Sequence, residues 1–332
     1  MDINEGTKTN QPRILPAFIS GFNTTASHIH LIILPVIIDL LIWFGPHFSL
    51  EKFFMPILDS LRELPGLQAE EFTATVQTTL SQLTELIKQF NLSVILRTYP
   101  VGIPSLAALI SPLQNPIGEP LSISLGSPMS VYLALFAFAL VGLLLASVYY
   151  HQIAGKVHQE PKRLSFSDFS KGTFQIFLLP FFMILIMIMI SIPLMLIIPV
   201  INFISPMIGQ VALYIALLVI LWLLVPLAFT PQAIFLLKQN VMNSMMTSIS
   251  VIRYTLPGSA FFLLFAFILT NGMNLLWSIP GDNSWMLLVG ILGHAFISTA
   301  MIASSYHYFL DATQYTQSML IDRQSKLPSN PL

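Results

Sequence analysis

Asp39 and His294 each sit inside a long apolar run, where an ionisable side chain is expensive and so invites a chemical explanation. Asp39 lies about six residues from the far end of its run, and His294 about nine residues into its own. At 1.5 Å rise per residue their depths differ by only about 5 Å. A carboxylate and an imidazole at matching depth can pair and relay a proton, and Gly290 and Gly293 permit the close helix approach that pairing needs. The alternative for the same two residues is a structural hydrogen bond. Asn271 and Asn274, three residues apart on one helical face, are candidates for ligand contact or, more simply, for bonding between helices.

Other constellations lead nowhere. His28 and His30 do not share a helical face; His151 and His158 do, seven residues apart, but no further metal ligands lie nearby. Glu70-Glu71 resembles a catalytic acid pair of intramembrane proteases, but Thr75 stands where an arginine is needed. There is no H-E-x-x-H, no phosphate loop and no G-x-S-x-G elbow. No metal and no cofactor is therefore expected, and the reading is non-enzymatic.

The elements that carry these residues follow from composition. The chain is 55% hydrophobic and 9% charged, where a soluble domain carries roughly 25% charged residues. Most of the surface cannot face water, and a net charge of −1 gives no reason to expect a nucleic-acid partner. Cysteine is absent, which excludes disulfides, thiolate metal sites and cysteine nucleophiles. Six runs, 29–45, 129–150, 174–198, 209–229, 256–279 and 285–310, approach the roughly 20 apolar residues a spanning helix needs. The fold class is thus all-α, a polytopic integral membrane helix bundle with six transmembrane helices. The polar start of the chain lacks a basic, cleavable signal pattern, so the first run reads as a retained anchor.

Orientation follows from Lys and Arg. Lys156, Lys162, Arg163 and Lys171 lie between runs two and three, Lys238 and Arg253 between runs four and five, and Lys8, Arg13, Arg323 and Lys326 in the tails. The positive-inside rule puts all of these in the cytoplasm, with both termini, in a cell membrane. Trp43, Trp277 and Trp285 then mark the outer interface, Trp222 reads as packing, and Tyr306-His307-Tyr308 reads as an inner aromatic belt.

The chain divides into a cytoplasmic tail with an interfacial helix (1–28), a first span (29–45), an extracytoplasmic insert (46–127), a five-helix remainder (128–311) and a cytoplasmic tail (312–332). The insert predicts two amphipathic helices. One carries Phe53, Phe54, Ile57, Leu58, Leu61 and Leu64 and ends at Pro65-Gly66; the other runs from Phe72 through Ile87, Phe90 and Val94. Prolines from Pro100 to Pro128 break the chain repeatedly beyond that second helix. The insert is expected to lie on the outer face of the bundle, with a re-entrant segment as the alternative. Asn91-Leu92-Ser93 matches a glycosylation pattern by chance.

The odd spans look alike. Leu34-Pro35 aligns with Leu179-Pro180, and amphipathic stretches precede spans one, three and five: Ile14 to Phe22, a capping-box-like Ser165 to Asp168, and Met242 to Ile252. Three such elbow-plus-hairpin repeats, with the run Phe229-Thr-Pro-Gln-Ala-Ile-Phe-Leu-Leu-Lys238 and the Ser-rich elbow after it, resemble an uncharacterised six-span bacterial membrane family related to the membrane domain of glycerophosphodiester phosphodiesterases. The resemblance implies no catalytic residues in this domain. The expected function is that of a structural or assembly partner or a lipid handler. The expected partners are the lipid bilayer and, for an assembly role, another membrane subunit, with no nucleic acid. A secondary transporter or permease subunit using the Asp39/His294 pair is the alternative.

Overall fold

A computed structural model describes residues 11–64, 70–99, 101–157 and 166–325. The turn at Pro65-Gly66, Pro100, His158, the capping Ser165, and the basic residues Lys8, Lys162, Arg163 and Lys326 lie outside them. The protein is an all-α membrane bundle. Among the described residues five helices are long and apolar enough to cross a bilayer, and a sixth span arises if Ile14–Ser27 and Ile29–Phe44 count as one. The chain forms two compact units, one of Met1–His28, Tyr150–Leu269 and Ala300–Leu332, the other of Ile29–Tyr149 and Thr270–Thr299.

In the second unit a 3-10 turn (Ile29–Ile32) leads into α2 (Ile33–Phe44), which α1 (Ile14–Ser27) precedes in the chain. Together Ile29 to Phe44 rise about 26 Å, slightly less than the roughly 30 Å of hydrocarbon. The insert then opens with a short strand β1 (His47–Ser49), which pairs in parallel with β2 (Ser122–Ser124) and ties the two ends of the insert together. Between them lie α3 (Glu51–Arg62), α4 (Glu70–Gln89), a 3-10 turn (Leu92–Arg97) and α5 (Ala107–Ile110). The second amphipathic helix stops short of Phe90 and Val94 because Asn91 interrupts it. The buried Asn91 Oδ1 accepts from the backbone N–H groups of Phe48 (3.0 Å) and Ser93 (3.1 Å), starting a new turn. Buried in this way, the side chain has no open surface for a glycan.

The second unit is completed by the first part of α6 (Pro128–Val157), the end of α11 (Leu256–Trp277) and the start of α12 (Leu287–Ser325). Its core joins Trp43, Leu106, Leu287 and Ile291, with a satellite of Leu50, Leu92 and Val131. Trp43 is buried within the unit and does not face lipid: its Nε1 donates to the Asp282 carbonyl over 2.8 Å.

In the first unit α7 (Phe166–Ile204) and α8 (Pro206–Leu224) form a hairpin, followed by a 3-10 turn (Val225–Leu227), α9 (Thr230–Leu236) and α10 (Val241–Tyr254). The break after α8 falls at Pro226. Ser248 of α10 repairs it, donating to the Pro226 carbonyl over 2.7 Å and accepting the Phe229 N–H over 3.0 Å. Separate elbow helices precede α2 and α11, but the third expected elbow is continuous with α7, which starts at Phe166. Tyr306 and Tyr308, expected in an aromatic belt, are fully buried. Tyr308 stacks on Phe262 with centroids 4.5 Å apart, and Phe262 on Phe18 at 4.8 Å, so an aromatic column forms the core here.

Candidate functional site

Asp39 projects from α2 and is wholly buried. Its carboxylate takes three hydrogen bonds, all from the start of α5. The Ser105 hydroxyl donates to Oδ1 over 2.5 Å, the Ala107 N–H to Oδ1 over 3.0 Å and the Leu106 N–H to Oδ2 over 3.2 Å. Ser105 Oγ in turn accepts the Ala108 N–H over 3.0 Å. The first turn of any helix leaves its N–H groups without partners, and a carboxylate also suits the positive end of the peptide dipoles. Asp39 and Ser105 therefore cap α5 jointly, and they draw the Pro-rich stretch down alongside α2 to a level five residues below Phe44, about 7.5 Å. The insert does not lie wholly beyond the end of α2.

His294 has different partners. Its Nδ1 lies 2.7 Å from Asn274 Oδ1 and its Nε2 3.5 Å from the Ser298 hydroxyl. With Nδ1–H donating to Asn274 and Nε2 accepting from Ser298, the ring satisfies both nitrogens as a neutral imidazole. Asp39 and His294 do not hydrogen-bond each other, so the expected carboxylate–imidazole pair is corrected. Each is satisfied by nearer donors and acceptors. The close approach foreseen at Gly290 and Gly293 goes instead to Trp277. A Cβ added at Gly290 would overlap the Trp277 carbonyl oxygen, and one added at Gly293 would stand 2.7 Å from the Trp277 ring. Asn274 thus serves helix–helix bonding within the unit. Asn271 lies one turn earlier on α11 and is exposed.

The first unit holds a second polar site that the sequence alone does not assemble. A cleft of about 190 Å³ opens between the end of α6, the start of α7 and the α9–α10 link. His151, Asp168, Lys171, Gln175, Lys238 and Asn240 line it, above a floor of Ile234 and Phe235. Gly172 lets α7 approach that floor; a Cβ there would meet the Phe235 ring at 3.2 Å. Lys238 pairs with Asp168, and Gln175 Oε1 accepts the Val241 N–H over 2.8 Å, which leaves the NH2 end of that amide as the donor to the cleft. His151 is wedged against the rings of Phe169 and Phe235, and its Nε2 is buried with no hydrogen-bond partner among the described residues. Lys238 holds a left-handed backbone, φ 53°, just beyond the end of α9, where glycine is the usual occupant. A signal is present in the sequence, since Lys171 and Lys238 flank apolar runs. Taken one at a time, such charges speak only for orientation.

No group of three or more candidate metal ligands gathers among the described residues. No family model matches the chain, and no match was found among curated proteins or solved structures.

Proposed function

We propose that this is a non-enzymatic, lipid-handling multi-pass membrane protein that engages acyl chains along the α7–α8 hairpin. The observation that carries the reading is the distribution of side chains on that hairpin. Helices that associate within a membrane do so through small residues that let their backbones approach. Here the small residues Gly209, Ala212 and Ala216 form one seam of α8, with Gly209 and Ala216 buried, and at Gly209 that seam meets Asn202 of α7. The outward faces carry Met189, Met195, Phe203, Met207, Leu218 and Trp222, all widely exposed. Trp222, expected to pack inside span four, is among them. Large flexible side chains of this kind conform to mobile lipid tails and offer another helix no close approach. The hairpin is also long. α7 has 39 residues, about 58 Å, against roughly 30 Å of hydrocarbon.

The polar residues at depth support the same reading by being committed elsewhere. Asp39 caps α5 and His294 bonds Asn274, which leaves the transporter alternative without its proton-linked pair. The kinship with the six-span family and a cell-membrane location with both termini cytoplasmic belong to this proposal. The orientation rests on the segregation of Lys and Arg. Single cysteines at Lys171 and Asn283, in a chain that has none of its own, should label with an impermeant maleimide from opposite sides of right-side-out vesicles.

Native mass spectrometry of the detergent-extracted protein tests the lipid reading. Discrete phospholipid adducts should persist, and replacing Met195, Phe203 and Met207 together by serine should remove them. A lipid-free spectrum from the wild-type protein, with unchanged thermal stability, would contradict it.

A further inference from the structure

We infer that the cleft between α6, α7 and the α9–α10 link binds a phosphate ester, the chemistry shared by a phospholipid headgroup and a soluble phosphate. Three observations converge on that class. The first is charge: Lys171 and Lys238 face one carboxylate, Asp168, so the cleft keeps a net positive charge when His151 is neutral. Lysine engages phosphate as a movable point charge, and both ammonium groups sit on exposed side chains able to turn toward a ligand. The second is an unspent polar atom, the buried Nε2 of His151, on a ring that lines the same cleft as Gln175 and the Asn240 that opens α10. The third is size. At about 190 Å³ the cleft is smaller than the roughly 300–1,000 Å³ that encloses a drug-sized molecule, so it accommodates one compact polar group with the rest of the ligand outside.

Its place in the fold fits a ligand with a tail. Lys171 stands three residues before Phe174, where the apolar run of α7 begins, and Lys238 lies just past the end of α9. A phosphate held there lies at the foot of the α7–α8 hairpin, at the level where a headgroup meets its acyl chains. This part of the inference rests on the lipid-handling reading; the phosphate chemistry of the cleft does not.

The test is thermal unfolding of the full chain in detergent, unliganded and with inorganic phosphate, glycerol 3-phosphate, dilauroyl phosphatidic acid or dilauroyl phosphatidylcholine. Phosphatidic acid near a hundredfold excess over its Kd should raise Tm by about 4 °C or more, and phosphatidylcholine, whose headgroup is zwitterionic, by much less. The double variant Lys171→Gln/Lys238→Gln should lose at least two-thirds of that shift while its unliganded Tm stays within about 1 °C, since both side chains are exposed. A shift with the soluble esters and none added by phosphatidic acid keeps the phosphate site but overturns the lipid reading. Retained lipid adducts, together with equal phosphatidic acid shifts in wild type and double variant, overturn the site and leave the lipid reading standing. Equal shifts with the anionic and zwitterionic lipids, or none with any anion, also overturn it.

Discussion

Ser105 donates its hydroxyl to Asp39 across 2.5 Å, joining a membrane helix to a turn 66 residues further along the chain. Through that one bond a carboxylate that looks chemically poised becomes an architectural part. Asp39 and Ser105 between them satisfy the N–H groups of Leu106, Ala107 and Ala108.

Asp39→Ala strands two backbone donors and the Ser105 hydroxyl. Polar contacts in membranes average about 0.6 kcal/mol, while a stranded buried donor costs roughly 1–3 kcal/mol. With three donors released together, a loss of roughly 2 kcal/mol is expected in detergent. Asp39→Asn should fall between this and wild type, because its new NH2 group faces a donor at Leu106 or Ala107. A double-mutant cycle should find Asp39 and Ser105 coupled by at least about 0.5 kcal/mol, and Asp39 and His294 additive within roughly 0.3–0.5 kcal/mol. Coupling confined to Asp39 and His294 would reinstate the pair that the structure separates.

Gly21 of α1 lies so closely against α12 that an added Cβ would overlap the Ser304 nitrogen and stand 2.6 Å from the Ala300 carbonyl oxygen. Backbone atoms of a long helix cannot step aside. Gly21→Ala should therefore cost roughly 1–3 kcal/mol, read as a lower Tm. Gly272, with nothing near its added Cβ, is the control: Gly272→Ala should be neutral or slightly stabilising.

His47, in the strand after the first span, has its pKa lowered by burial, with the Phe90 backbone opposing the shift. The folded protein then binds fewer protons than the unfolded chain, whose histidine titrates near 6.5. This contribution to stability is present above about pH 6.5 and is lost as pH falls through that value toward the folded pKa. The Tm of wild type should drop between about pH 7 and pH 5, and His47→Gln should flatten the slope. An unchanged slope would mean that His47 takes up its proton without cost in the folded state.

Hydropathy made the long helices legible. Span five was expected to begin at Leu256, and α11 begins there; the apolar runs of α6, α7, α8 and α12 each fall within one helix or nearly so. The features hidden from a linear reading depend on distant partners. Ser105 has the side chain of a helix cap, but nothing local says that Asp39 completes the cap. Strands of three residues, such as His47–Ser49, are too short to show a period of two. Trp43 and Tyr308 have the amphipathic chemistry of interface residues, and only tertiary packing decides that they are buried. The phosphate cleft draws on three separate segments, and each contributes residues that look ordinary on its own.

In the lipid-handling reading the first turns of α7 pack on α9 and α10, and from Phe181 onward the helix meets lipid on all sides except its seam with α8. Spin labels placed singly at Met195→Cys, Leu196→Cys and Ile197→Cys, with the protein in lipid nanodiscs, test this most directly. These consecutive positions point in different directions around the helix, and all three are more than half exposed. Mobile spectra and high accessibility to oxygen, with low accessibility to a water-soluble nickel complex, are predicted at every one of them. An immobile, oxygen-shielded label at any of the three would contradict the proposal, because it would place a protein surface where lipid is expected.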